Sequence, residues 1–232
     1  MNRDEILSRY RQFREISNWH MHDAGRHLPE AALLRLAKRL GVAKGRTLLC
    51  ENDNEFQLLH DLALFIPGHN GGPSAFQRYA KANVPPAGSD QALVLEAMLQ
   101  SRYSLWSIER RHDVAGLVLQ DLALGEEEWF VDMCMEATWE TGSAFAGRLI
   151  RPAGFSMTCG ILAPFGEDQG LEALTSTGDW KPANPAAAVT DPRFAMLLCG
   201  AALRTGVMGG VVTLEAGSLP EGEDLALYAL TH

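Results

Sequence analysis

No stretch of this 232-residue sequence stays apolar for long. The longest such run, Phe194 to Leu203, is about half of the roughly 20 residues a membrane-spanning helix needs. The opening residues Met1, Asn2, Arg3, Asp4 and Glu5 are neither charged-then-apolar like a signal peptide nor poor in acid like a transit peptide. Neither export nor a membrane span is therefore expected. Cysteine is scarce. Cys50, Cys134, Cys159 and Cys199 stand far apart, with no Cys-x-x-Cys pair and no histidine at zinc-finger spacing. Isolated thiols of this kind behave as small apolar residues in a reducing compartment, so the expected location is cytoplasmic. Positive charge is also short: 20 Lys and Arg face 29 Asp and Glu, which disfavours diffuse binding to a phosphate backbone.

Signature motifs are missing as well. Gly68, Gly71 and Gly72 lack the preceding strand and the spacing of a phosphate-cradling loop, and read as a helix-terminating turn. Gly154-Phe-Ser-Met-Thr158 misses the last glycine of a nucleophile elbow, and its serine falls inside an alternating stretch. Glu126, Glu127 and Glu128 sit at a turn, where consecutive carboxylates are ordinarily solvated.

What is present is a globular composition, 47% hydrophobic and 21% charged, with a change of period along the chain. Ile6, Tyr10, Phe13 and Ile16 recur at helical spacing up to about Trp19. A second helix is expected from Pro29 to Leu40, ended by Gly41. Asn52 and Glu55 form a capping-box pair before the stripe Phe56, Leu59, Leu62, Ala63 and Ile66. Further helices are expected after Pro73, after Ser89, and from Asp191 to Leu203. Near Arg102 the spacing of apolar residues falls to two. Strands are expected at Tyr103–Glu109, Leu117–Leu122, Trp129–Met133, Ser143–Ile150 and Phe155–Ile161, the last with the clearest alternation. Residues 166–190 read as a loop with at most a short helical turn, and Val211–Glu215 and Leu225–Leu230 as a closing strand pair.

The expected fold is α+β: a helical region over 1–101, a small antiparallel β-barrel or coiled sheet over 102–165, and a loop, helix and terminal strands over 166–232 that pack on it.

The run Arg102-Tyr-Ser-Leu-Trp106, then Gly116-Leu-Val-Leu-Gln-Asp-Leu-Ala-Leu-Gly-Glu-Glu127, and later Gly147-Arg-Leu-Ile150 resembles a group of uncharacterised bacterial proteins. In these a helical segment precedes a small β-barrel, and some end in a zinc-binding tail similar to that of the bacterial secretion ATPase. The resemblance covers roughly residues 55–165 and implies an architecture, not an activity. The tail has no counterpart, because Leu225 to His232 contains no cysteine.

Three functional readings remain. The first is a non-catalytic protein-interaction module, with a protein partner or a second copy of the chain. Residues 1–50 hold ten Lys and Arg against five Asp and Glu. That is +5, and it leaves −14 for the rest of a chain whose total is −9. Such a lobe suits an anionic partner, the chain's own acidic body or another copy, or it is simply a solvated face. Arg9, Arg11, Arg14 and Trp19 on the first helix, with Trp129 and Trp139 of the β region, are the candidate contact residues, against ordinary core packing of the aromatics. The second is a metal-dependent enzyme. His20, Asp23 and His27 share a face if the first helix continues, and two imidazoles with a carboxylate suit zinc or manganese, although Gly25 and Pro29 threaten that helix. No cofactor is otherwise expected. His60 and Asp61, adjacent on a helix, point about 100° apart and cannot jointly hold a ligand. The third reading is nucleic-acid binding by the basic N-terminal helices, against which stands the net charge of −9; base stacking on the β-region aromatics is disfavoured because residues 101–150 carry four Lys and Arg against nine Asp and Glu.

Overall fold

The computed structural model describes residues 1–68, 71–166 and 184–210. The helical first half comprises α1 (Arg3–Gly25), α2 (Glu30–Leu40), α3 (Asp53–Phe65), α4 (Ala75–Ala82) and α5 (Asp90–Leu99), with a two-residue hairpin of β1 (Ala43–Lys44) and β2 (Thr47–Leu48) after α2. The expected helices are present and their caps explain their limits. Asn2 and Ser74 complete capping boxes with Glu5 and Gln77. At α3 only half of the expected box forms: Asn52 accepts from the Glu55 N–H at 2.9 Å, whereas the Glu55 carboxylate reaches one residue further back, to the Glu51 N–H at 2.7 Å. Helix α1 runs past Trp19 to Gly25. There the missing Cβ lets the backbone lie against the His60 ring, 3.2 Å from where that atom would stand, so close packing outweighs poor helix propensity.

The second half is β3 (Arg102–Arg111), β4 (Leu117–Asp121), β5 (Glu127–Phe130), a short α6 (Met133–Thr138), β6 (Ala144–Ile150), β7 (Met157–Thr158) and β8 (Ala163–Phe165). Together these strands form one antiparallel sheet of order β5-β4-β3-β6-β7, with β8 also on β6. The sheet curls into a half-barrel. At one end it is clasped shut by a parallel bridge between Phe130 and Ser156, in which Val131 N–H donates to Ser156 O (2.8 Å) and Ser156 N–H to Trp129 O (2.7 Å). After it come α7 (Pro185–Thr190) and α8 (Pro192–Thr205), each with proline in its first turn, and a 3-10 turn at Val207–Gly210. The expected strands at 211–215 and 225–230 lie outside the described residues.

Two strand expectations need correction. Trp129–Met133 ends as a strand at Phe130, and Met133 starts a helix instead. The reason is Asp132, whose Oδ1 accepts from the Cys134 and Met135 N–H groups at 3.1 and 3.0 Å, an N-cap that the alternation hid. Phe155–Ile161, the clearest alternation, pairs in regular fashion only at Met157 and Thr158. Phe155 through Cys159 are all buried, polar and apolar alike, and Gly160 turns the chain at φ +89°.

Burial on both faces accounts for this. One face of the half-barrel holds a core of Trp106, Ile108, Leu117, Leu119, Phe130, Phe145 and Leu149. The other carries Tyr103, Leu105 and Ala146 into a second core with α2, α3 and α8. Near the clasp, Ile150, Phe155 and Met157 join a third core with α1, α4 and α5. A sheet covered on both sides has no solvent face to keep the alternation honest.

Candidate binding cleft and buried polar networks

Of the two principal cavities, the larger is a cleft of about 330 Å³ at the mouth of the half-barrel. The end of α5 (Ala97, Gln100, Ser101), the start of β3 (Arg102, Trp106), the edge of β5 (Glu126, Glu128) and the segment after β6 (Arg151, Ser156) form its walls. Its size falls at the lower end of ligand-binding cavities. Its charges are arranged in pairs. Arg102 Nη2 lies 3.0 Å from Asp121 Oδ2 and its Nη1 donates to Glu126 Oε2 at 3.3 Å, while its guanidinium sits 5.3 Å above the Trp106 ring. Asp121 is fully buried. Its Oδ1 accepts from Ser104 Oγ and from the Ala123 and Leu124 N–H groups, which builds the turn from β4 to β5. Its Oδ2 makes no well-aligned hydrogen bond and has only the Arg102 charge beside it. Across the cleft, Glu128 Oε1 accepts from Ser156 Oγ at 2.6 Å and lies 3.1 Å from Arg151 Nη2.

The edge of β5 also faces this opening. Trp129 O and Val131 N–H turn outward to Ser156, and the two-residue period of a strand gives Glu127 the same orientation.

A second cavity, about 10 Å³ and lined by Leu58, Asp61, Leu62, Tyr103, Arg148, Cys159 and Ile161, is about the size of one water. It marks a cluster of ionisable groups between α3 and the sheet. Asp61 accepts from the Ile161 N–H at 2.7 Å. Burial pushes its carboxyl up to about 6, with the Ile161 N–H, Arg148 and Arg14 opposing. The Arg148 guanidinium lies 4.0 Å over the Phe65 ring and donates to Ser101 Oγ at 3.3 Å. Cys199 Sγ donates to Tyr103 Oη at 3.1 Å. Burial pushes the thiols of Cys159 and Cys199 up to about 12 and raises Tyr103 well above its ordinary value. The space admits no substrate, so this cluster positions α3 on the sheet. Its signal was in the sequence, as a lone charge inside each of two apolar runs: Asp61 beside Leu62-Ala-Leu-Phe65, and Arg148 within Ala144-Phe-Ala-Gly-Arg-Leu-Ile150.

The proposed metal set is not assembled. Among the described residues no three His, Cys, Asp or Glu side chains come close enough to hold an ion. His20 is fully buried, its Nδ1 2.7 Å from Tyr79 Oη and its Nε2 3.3 Å from Gln91 O. Both ring nitrogens are thus occupied by protein. Burial lowers its pKa and raises that of Tyr79 to about 12. His27 instead packs its ring edge-on to Tyr79, centroids 5.6 Å apart, and Asp23 pairs with Arg26 at 3.0 Å. The helix stops at Gly25, two residues short of the His27 that the metal reading required on it, and it turns His20 into the core.

The candidate contact residues are dispersed. Arg9 makes a two-pronged pair with Asp90 (2.8 and 2.6 Å) and covers the Phe13 ring. Arg14 donates to Thr158 O at 2.8 Å and to its hydroxyl, and Arg3 pairs with Glu136 at 2.8 Å. Three of the basic side chains of α1 therefore bind the rest of the chain, two of them through carboxylates. Arg11 and Trp19 are exposed. Trp129 stacks on His112 and donates to Ala115 O at 2.8 Å, and Trp139 packs edge-on against Phe145.

A family model described as a family of unknown function, DUF7986, matches residues 4–181. The chain belongs to that family. The match takes in α1 and the whole half-barrel, a wider span than the likeness read from residues 55–165, and the DUF7986 description assigns no activity to either. No curated protein and no solved structure matches. Among the described residues no helix is long and apolar enough to cross a membrane.

Proposed function

We propose that this protein is a non-catalytic cytoplasmic interaction module of bacterial type, and that it receives a protein partner in the cleft at the mouth of the half-barrel. The observation that carries this reading is the cleft itself. It is a residue-sized opening walled by paired charges, with the Trp106 ring beneath Arg102, a concave polar site of the size that receives a side chain of another molecule. Four free cysteines, two of them buried, support a reducing compartment. Three of the four arginines of α1 are held at home, which favours this cleft over that helix as the site of contact.

The test is capture from native lysate by the wild-type chain and by Gln100→Trp, which puts a large ring into the cleft from an exposed position. A partner retained by the wild type and lost by a variant of unchanged melting temperature is the expected result. Equal retention by both would overturn the proposal.

A further inference from the structure

We infer that α2, the hairpin after it and the end of α8 form a second contact surface, which binds an acidic segment of a partner protein; it is separate from the cleft and stands or falls without it. Most arginines of this chain are tied to a carboxylate or a carbonyl. Arg35, Lys38, Arg39, Lys44 and Arg204 are not. All are exposed, and among the described residues none of their side chains has an ion pair or a hydrogen bond. Elsewhere only Arg11 and Lys81 are as free.

The fold gathers these cations. Arg35, Lys38 and Arg39 stand at i, i+3 and i+4 on the face of α2 opposite the buried Leu36 and Ala37. Lys44 follows on the hairpin, which folds back on the helix: Val42 N–H donates to Ala37 O at 2.9 Å, and Arg46 reaches Glu30 at 3.7 Å. A Cβ on Gly200 of α8 would stand 3.1 Å from Arg204 Nη1 and 3.5 Å from Leu40 Cδ2, which sets Arg204 beside the end of α2. Glu30 is the one carboxylate of residues 29–50, and its pair with Arg46, the two side chains 81% and 87% exposed, offsets little. Glu51 and Asp53, exposed at the start of α3, form no ion pair with any of these cations. The dipoles of the two helix C-termini account for Lys38, Arg39 and Arg204. They do not account for Lys44, or for Arg35, which the like charges three and four residues on destabilise.

The chemistry of the surface selects among anions. Residues 29–50 contain no aromatic side chain on which to stack a base, and a chain of net charge −9 repels a long polyphosphate. Leu49, 50% exposed at the base of the hairpin, where its N–H donates to Val42 O at 2.9 Å, offers an apolar contact suited to a peptide and of no use to a phosphate backbone. An extended segment of about five residues, at roughly 3.3 Å each, spans the ~16 Å of α2.

The experiment titrates the full chain, at low and high salt, with a labelled Glu-Leu-Glu-Asp-Glu peptide, its Gln-Leu-Gln-Asn-Gln counterpart, and DNA and RNA oligonucleotides. Binding is read for the wild type, for Arg35→Glu/Lys44→Glu, and for Arg11→Glu/Lys81→Glu, which makes the same change of charge at the free cations elsewhere; equal melting temperatures establish that each is folded. The expected result is salt-sensitive binding of the acidic peptide over its neutral counterpart, weakened on the order of tenfold in Arg35→Glu/Lys44→Glu and less than about twofold in the other pair. Equal weakening by both pairs would assign the effect to overall charge and overturn the proposal, as would no binding of the acidic peptide at low salt. Tighter binding of an oligonucleotide, lost in Arg35→Glu/Lys44→Glu, would give the surface to nucleic acid instead. Salt-sensitive self-association lost in that variant would give it to a second copy of the chain. Loss of the acidic peptide in Gln100→Trp would move the contact to the cleft and overturn the assignment.

Discussion

Replacing Asp61 by Asn removes the one carboxyl that the fold holds most plainly against its own preference. The side chain is pressed between α3 and the loop after β7, and its pKa rises from 3.8 to about 6 through burial. At ~1.4 kcal/mol for each tenfold change, the ionised form costs the folded state about 3 kcal/mol. The cost has a direction. A native state that binds the proton more tightly than the unfolded chain loses stability as pH rises through the interval between the two values. Asp61 is therefore neutral and harmless near pH 4, and its penalty is fully present above about pH 6. Asn keeps an oxygen for the Ile161 N–H and carries no charge. Denaturant unfolding of wild type and Asp61→Asn at intervals from pH 4 to 8 should show nearly equal stability at the acid end. The variant should be more stable by up to about 3 kcal/mol at pH 8. His20 and His60, whose pKa values burial lowers, pull the other way, gaining stability as pH rises toward 6.5, but they are common to both proteins and cancel in the difference. A difference that stays flat with pH, or a variant less stable at pH 8, would refute the argument. It would mean that Arg148 and Arg14 outweigh burial at this site.

Three further outcomes are expected. Gly160→Ala places a Cβ 2.2 Å from Asp61 Oδ2 at a residue with φ +89°, so equilibrium unfolding should register a loss of at least about 2 kcal/mol; a neutral effect would mean that the loop is free to move off α3. Asp132→Ala removes the cap of α6 and an acceptor for the Tyr10 hydroxyl at 3.2 Å, and chemical denaturation should show a loss of about 2 to 4 kcal/mol, with a change under 1 refuting it. A thiol reagent at neutral pH should label Cys50 and Cys134, both partly exposed, and reach the buried Cys159 and Cys199 only on unfolding. Mass spectrometry of the labelled native protein decides this, and early modification of Cys199 would contradict its place beside Tyr103.

Apart from α6, whose Asp132 cap was hidden in an alternating stretch, the longer helices were legible because each announces itself locally. Asn52, Ser89 and Asp191 cap where such residues should, and Pro192 opens α8 as its fixed φ allows. The strands were legible only as far as a period of two can speak. β3, β4 and β6 are long enough to show it, whereas β7 and β8 have two and three residues and pair because the curl of β6 brings them there. The seeming strand over Phe155–Ile161 misled for the same reason: the polar members of its alternation, Ser156 and Thr158, are as buried as the apolar ones and are satisfied by Glu128 and Asp132 across the fold. The histidines of α1 failed as a metal set because residue spacing gives the face of a helix but not what that face meets. His20 meets Tyr79, 59 residues away. The cleft was invisible for a related reason, since its walls come from three separate stretches of sequence and close only when the half-barrel curls.

The attachment of α1 has a bearing on how the chain is made. Its anchors, Asp132 and Thr158, lie 122 and 144 residues downstream of Tyr10 and Arg14. At the pace of a ribosome, about 5 to 20 residues per second, the first helix emerges some 7 to 30 seconds before the groups that will hold it exist. Until α4 and α5, which share its core, follow it out, its Ile6, Tyr10 and Phe13 stripe has no mate, and until β7 its seat is incomplete, so the newborn N-terminus is the part of the chain with apolar surface longest uncovered.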